Sequence, residues 1–283
     1  MAEIEYVRPV NLKDALNFLW AHGEDTKIIA GGTDVMIDVR SGTLDKKYLL
    51  DISRMDELKG IELNDQGLCI GAGVTLSEIY SSDTLESNAL ALKKTAYNFA
   101  GKQIRNMATI GGNVANSSPC GDTLPALSVH RAKALVADKK STRLIPVEEM
   151  ATHAYISSLS PKQIIIKFIL TPYQDGFADF QKIGRRRELA VSRISMAVFA
   201  KKDKEGRIAF LKFALGACTP VPHNMELVEK FLTGKTPTRE LIWEAGGLLA
   251  QKMIEITGRR SSTIYKEPAI QGLFMRMLYP VVK

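Results

Sequence analysis

The sequence predicts an α+β protein of two domains, a larger one that opens with an α/β unit and a smaller one in which strands precede helices. Three observations carry this. The 283 residues exceed the roughly 100 to 200 of a single domain. The first fifty or so alternate helical and strand patterns. Beyond Pro172 three β-prone runs are followed by three helical ones, the order of a small α+β domain.

Asn11 caps a first helix with Asp14 at its third position, and Leu12, Ala15, Leu16 and Leu19 recur at helical spacing. Lys27 to Ala30 reads as a short strand, Gly31-Gly32 as a turn, Val35 to Arg40 as one or two helical turns, and Tyr48 to Ile52 as a second strand. From Gly60 the pattern changes. Ile61 to Leu63 and Leu68 to Gly71 flank the turn residues Asn64-Asp65-Gln66-Gly67 as a hairpin. Thr75 and Glu78 form a capping box. Ala89 to Ala100 is expected as a helix running toward a second glycine pair, Gly111-Gly112, placed in a loop. Leu124 to His130 reads as helix, Ala134 to Ala137 and Arg143 to Pro146 as paired strands, and Ile164 to Leu170 as a strongly β-prone run. After Pro172, Phe177 to Ile183, Ile194 to Lys201 and Ile208 to Gly216 read as strands, the last two joined at Asp203-Lys204-Glu205-Gly206. Helices follow at Met225 to Leu232, Glu240 to Met253 and Ser262 to Leu278.

Composition narrows the function. No apolar run approaches the roughly 20 residues that span a bilayer. The N-terminus lacks the basic-then-apolar pattern of a secretory signal, so a cytoplasmic location is expected. Cys69, Cys120 and Cys218 are too few and too scattered for a four-cysteine iron–sulfur cluster, and the four histidines show no metal-ligand spacing. The net charge of +7 is spread along the chain, without the basic face and stacking aromatics of nucleic-acid recognition. Cys120 has no histidine base beside it and reads as loop filler. The Arg185-Arg186-Arg187 run, partly offset by Glu188, reads as a solvated or partner-facing stretch.

The two glycine turns are the chemically suggestive features. In Thr109-Ile110-Gly111-Gly112-Asn113, paired glycines permit positive φ and let backbone amides converge as an anion-binding nest. Asn113, Asn116, Ser117 and Ser118 add short hydrogen-bonding side chains, and Asp122 offers an acceptor for a ribose or ribityl hydroxyl. The bland reading is a glycine turn with capping serines. Ala30-Gly31-Gly32-Thr33-Asp34 follows a strand and precedes a short helix, where amides and a helix N-terminus hold phosphate. Neither turn has the spacing of a Rossmann or P-loop motif. Two such turns can flank a diphosphate.

Together with Ser117-Ser118-Pro119-Cys120-Gly121-Asp122-Thr123-Leu124-Pro125-Ala126-Leu127, the two turns resemble the FAD-binding subunit of the molybdenum hydroxylases, which include bacterial xanthine dehydrogenase and carbon monoxide dehydrogenase. Tyr6-Val7-Arg8-Pro9, Lys102-Gln103-Ile104-Arg105-Asn106 and Ser261-Ser262-Thr263-Ile264-Tyr265-Lys266 extend the resemblance nearly end to end. It implies an FAD-binding domain of the PCMH or vanillyl-alcohol-oxidase type over residues 1–173, in α/β halves of about 1–54 and 55–173 with FAD between them. It implies a carbon monoxide dehydrogenase flavoprotein C-terminal-like domain over 174–283. Cofactor contacts carried over are Lys27, Ile28, Ile29, Ala30, Gly31, Gly32, Thr33 and Asp34 in the first turn and Thr109, Ile110, Gly111, Gly112 and Asn113 in the second. Ser117 and Asp122 join them.

The resemblance also places an apolar residue of the strand Ile164-Ile165-Ile166 beside the flavin, here Ile165, and a lysine soon after a phenylalanine, here Lys182 after Phe180. Some relatives carry that lysine one position earlier, where Gln181 stands. Ile165 would pack on the isoalloxazine, or serve simply as a core strand residue. Lys182 would stabilise anionic reduced flavin, or lie solvated.

The implied role is electron transfer, from a small subunit with two [2Fe-2S] clusters, through FAD on this chain, to NAD⁺, oxygen, a quinone or ferredoxin. Substrate would be hydroxylated on a large molybdopterin subunit, in a dimer of heterotrimers. The alternatives are a self-contained PCMH-type flavin oxidase and a nucleotide-binding or assembly protein without flavin.

Overall fold

The structure, a computed structural model, describes residues 4–186 and 189–282. Arg187 and Glu188 of the basic run therefore lie outside the described residues. The first half comprises β1 (Glu5–Val7), α1 (Leu12–His22), β2 (Thr26–Ile29), α2 (Val35–Ser41) and β3 (Tyr48–Asp51). Its three strands run parallel in the order β1-β3-β2. The Asn11 side chain accepts from the Asp14 amide, the cap that the spacing predicts. Ala15 and Leu19 then face Leu50 and Ile52 in a small core.

The second half contains β4 (Ile61–Asn64), β5 (Gly67–Gly71), α3 (Leu76–Ser81), α4 (Asp83–Asn88), α5 (Leu90–Asn98), α6 (Lys102–Met107), α7 (Ile110–Asn116) and α8 (Thr123–Val129). There follow β6 (Lys133–Ala137), β7 (Thr142–Pro146), a short hairpin of β8 (Ala151–His153) and β9 (Ile156–Ser157), and β10 (Ile164–Leu170). Five strands form an antiparallel sheet in the order β4-β5-β10-β6-β7. Strand β10 lies at its centre, paired on both edges, which is why its sequence is an unbroken apolar run. The capping box at Thr75 and Glu78 is present.

Two expectations about this half are corrected. The helix expected over Ala89 to Ala100 is α5 alone, stopped at Asn98, and α6 intervenes before the second glycine pair. Residue Ala100 takes φ +35°, a conformation that breaks the helical run. That pair does not sit in a loop. Gly111 and Gly112 lie in the first turn of α7, because Thr109 accepts from the Gly112 amide and caps a helix that the low propensity of glycine disguised.

The remainder is β11 (Phe177–Gly184), β12 (Ser192–Lys202), β13 (Ile208–Gly216), β14 (His223–Asn224), α9 (Glu226–Leu232), α10 (Arg239–Thr257) and α11 (Thr263–Val282). Its antiparallel sheet runs β11-β12-β13-β14 and is covered on both faces. Met196, Val198, Leu211, Phe213 and Leu215 pack on α9 to α11. Ala178, Phe180, Ala197, Phe199 and Ala214, on the other face, join the core of the second half alongside Leu92 and Leu127. One hydrophobic core thus runs across the junction at Pro172.

His130 ends α8 in that core with no exposed surface. Its Nδ1 bonds Thr171 O at 3.0 Å, its ring stacks on Tyr173, and its Nε2 has no partner among the described residues. Burial holds the imidazole down to about 4, well under the usual histidine range. The folded state therefore stays neutral while the unfolded chain takes up a proton. Stability from this group is complete above about pH 6.5 and is lost as pH falls toward 4. At about 1.4 kcal/mol per pH unit the loss reaches up to about 3 kcal/mol. Denaturant unfolding from pH 7 to 4.5 should reveal this loss, and His130→Gln should remove it while lowering stability at pH 7.

Candidate functional site

The two glycine turns face each other across a seam between the halves. Strand β2 delivers Ala30, Gly31 and Gly32 to the N-terminus of α2, and Gly32 takes φ +70°, the left-handed conformation that glycine favours. A Cβ on Gly31 would lie 1.8 Å from the carbonyl oxygen of Met107, so only hydrogen fits where the turns touch. The second turn is pinned from behind. Leu76 N bonds Ala108 O, Ile110 N bonds Val74 O, and Gly111 N bonds Ala72 O at 2.8 to 2.9 Å, and a Cβ on Gly111 would lie 2.7 Å from Ala72.

This geometry corrects the nest expected at Gly111-Gly112. Neither glycine has positive φ. The amides of Ile110, Gly111, Gly112 and Asn113 are taken by Val74 O, Ala72 O, Thr109 Oγ1 and Thr109 O. These glycines serve close packing instead. The free donors are at the first turn: among the described residues nothing accepts from the amides of Gly31, Gly32, Thr33 and Asp34. Four consecutive unpaired donors ahead of a helix suit a phosphate oxygen or a water shell.

Between the turns lies a cavity of about 260 Å³. The first turn contributes Lys27, Ile28, Ala30, Gly31, Gly32, Thr33 and Asp34. The second contributes Thr109, Gly111, Gly112 and Asn113, and β10 adds Ile165. Among the described residues, Lys27 and Asp34 are the only charged ones of this lining. Burial, then the neighbouring Asp38, pushes the Asp34 carboxyl up from its usual range, against the opposing pull of Lys27. Asn116 Nδ2 donates to Asp34 Oδ2 at 3.2 Å and ties α7 to α2 across the cleft.

Five expected residues stand behind the lining. Ile29 packs beneath Gly32, and Ile110 is fully buried. Ser117 ends α7 in the left-handed conformation with its Oγ on Val114 O. Asp122 and Lys182 form a buried ion pair, Lys182 Nζ donating to Asp122 Oδ2 at 2.7 Å, and Ser192 Oγ donates to the other carboxylate oxygen at 2.5 Å. Burial pushes the Asp122 carboxyl up, and Lys182 opposes it. Both oxygens expected to accept a sugar hydroxyl are therefore already bonded to protein.

Sequence reasoning missed the far wall of Ser157, Leu159, Ser160, Pro161 and Gln163; it named Asn116 as a short hydrogen-bonding side chain of the second turn, and the structure places it in the cleft across from Asp34. The strands around that wall are two and three residues long, too short for a period-2 signal.

The fit to a dinucleotide is direct: free amides and one lysine for a diphosphate, glycines that leave room for it, and the apolar Ile28, Ile164 and Ile165 for a ring. Residues 2–173 match the family described as the FAD binding domain in molybdopterin dehydrogenase, and residues 179–281 the CO dehydrogenase flavoprotein C-terminal domain. The chain belongs to the molybdopterin-dehydrogenase FAD-binding family. Its cofactor is FAD, and it is of the oxidoreductase class. It is 26% identical to the nicotinate dehydrogenase FAD-subunit of Eubacterium barkeri, over 100% of this chain and 97% of that one. It is 31% identical to the xanthine dehydrogenase FAD-binding subunit of Escherichia coli O157:H7, over 80% of this chain and 77% of that one. Its fold matches a chain of carbon monoxide dehydrogenase from Hydrogenophaga pseudoflava with a TM-score of 0.90, at 23% identity over 98% and 96% of the two chains.

Gly31→Ala should separate the turns and lower stability by about 3 kcal/mol. Gly60→Ala, at φ +93° with open space around it, should lose only about 1–2 kcal/mol from backbone strain. Equal losses in denaturant titrations would contradict the interlocking role of Gly31.

Proposed function

We propose that the chain is the electron-transfer flavoprotein subunit of a molybdenum-containing hydroxylase, with FAD bound in the cleft between residues of its two halves. When bound, FAD supplies the conversion between one-electron and two-electron transfer. In this reading electrons come from the [2Fe-2S] clusters of a small partner subunit, substrate is oxidised on a large molybdopterin subunit, and NAD⁺ or another acceptor receives them. The assembly is a cytoplasmic dimer of heterotrimers. Residues 1–173 form the flavin-binding domain and 174–283 the C-terminal domain. The subunit names of the relatives support the division of labour, since both describe one FAD-bearing member of a larger dehydrogenase.

The observation that carries the reading is the row of unpaired amides from Gly31 to Asp34, facing the glycine-floored start of α7. Those amides hold the diphosphate, and Lys27 offsets part of its charge. Asn116 takes up one oxygen of the Asp34 carboxylate through their hydrogen bond. Ile165, only 4% exposed on the central strand, offers a fixed apolar surface to the ring. Lys182 acts at one remove, through Asp122 at the start of α8.

The purified protein should be yellow with flavin absorbance. Gly32→Val should lower flavin content by more than tenfold, because a β-branched residue resists φ +70° and its side chain meets Ile29 and Met36. Full flavin content in a folded Gly32→Val variant would count against the site. Affinity capture from the native host should recover two further subunits, one with molybdenum; the chain alone, turning over a substrate of its own, would support a self-contained flavin oxidase.

A further inference from the structure

The far wall of the cleft is tied by hydrogen bonds to one half only. It is the stretch between β9 and β10, in which residues 158–163 form neither helix nor strand. Ser158 N donates to Met150 O at 2.9 Å, Ser160 N to Gln163 Oε1 at 3.0 Å, and Arg143 Nη2 to the same oxygen at 3.4 Å, all within the second half. Among the described residues, no hydrogen bond or ion pair joins residues 157–163 to the first half.

What meets the wall from the first half is Trp20. Helix α1 buries Ala15 and Leu19 in the core of its own half and leaves the indole of Trp20 half-buried. Lys162, between the cleft residues Pro161 and Gln163, places its ammonium 4.9 Å from the ring centroid, and Lys140 places its own at 4.5 Å. Lys140 stands in the turn between β6 and β7, which Asp138 Oδ1 fixes by accepting from the amides of Lys140 and Ser141 at 2.7 and 2.9 Å. An ammonium over an indole is drawn to the negative face of the ring. The neighbouring approach of Gly23 to Pro161 O and to Lys162 Cγ limits closure but supplies no such attraction.

This contact bears on the width of the cleft. Gly23 leads within three residues to Thr26, which lines the cleft on the first-half side, and Lys162 is flanked by lining residues on the other. At its opposite end the cleft is held by backbone, Gly31 against Met107 O, and by the bond from Asn116 to Asp34. One end is therefore rigid, and the other is closed by two cation–π contacts.

We propose that Trp20 is a positioning residue for the flavin dinucleotide: gripped by Lys162 and Lys140, it latches the wall of residues 157–163 against α1 and sets how fast the dinucleotide leaves the cleft. The latch acts on a ligand whose placement rests on the function proposed above.

The test is the rate at which flavin-loaded protein releases FAD on dilution, followed by the rise of free-flavin fluorescence. Trp20→Leu and Lys162→Met should each release FAD about tenfold faster than the parent, whereas Trp20→Phe and Lys162→Arg, which keep a ring and a cation, should stay within about threefold. Gly60→Ala, which weakens the fold away from the wall, should release FAD at the parental rate. Parental release rates in both Trp20→Leu and Lys162→Met overturn the latch, and so does release from Gly60→Ala as fast as theirs, since the effect would then be one of stability alone. If Gly32→Val loses its flavin while Trp20→Leu keeps the parental rate, the cleft stands and the latch falls. Full flavin content in a folded Gly32→Val variant overturns the placement of flavin, and the latch with it.

Discussion

The two halves meet where a carbonyl oxygen, that of Met107, fills the space a side chain would occupy on Gly31. Everything that makes the cleft usable depends on this contact. It brings the unpaired amides of Gly31 to Asp34 opposite the capped start of α7, and it lets Asn116 reach Asp34. A second close approach, a Gly23 Cβ position 2.6 Å from Pro161 O, shuts the seam elsewhere. Beside it Trp20 of α1 is approached by Lys140 at 4.5 Å and Lys162 at 4.9 Å from its ring centroid, both contributed by the second half. The cleft is the gap left between fixed points.

Charge is used sparingly where it is buried and freely where it is not. The pair Lys182–Asp122 is nearly enclosed, and removing either partner would strand the other at a cost of about 3–5 kcal/mol. It ties the first residue before α8 to β11, so the C-terminal sheet is fixed to the flavin-binding half by an ion pair as well as by the shared core of Phe180 and Phe199. Exposed pairs such as Lys230–Glu226 contribute little by comparison. The chemical consequence is that the charge of Lys182 is already committed to Asp122.

The glycines divide into two kinds that the sequence does not tell apart. Gly32 is needed for its backbone angle, as expected of a turn residue. Gly31 and Gly111 have ordinary angles and are needed because backbone from a distant segment lies against them. Reading the second pair as a positive-φ nest put free amides at both turns, whereas the second turn spends its amides on Ala72, Val74 and Thr109.

The sequence by itself determined the order of elements, the caps at Asn11 and Thr75, the apolar central strand at Ile164 to Leu170, and the family, because each rests on local periodicity, local hydrogen bonding or contiguous motifs. It also marked twelve of the residues that line the cleft. Only the tertiary structure decided which amides are free, that Asp122 and Lys182 bond each other rather than face the cleft, and that Ser157 to Gln163 form its far wall. Those facts depend on contacts between segments tens of residues apart. No spacing along the chain encodes a carbonyl oxygen of residue 107 resting on residue 31.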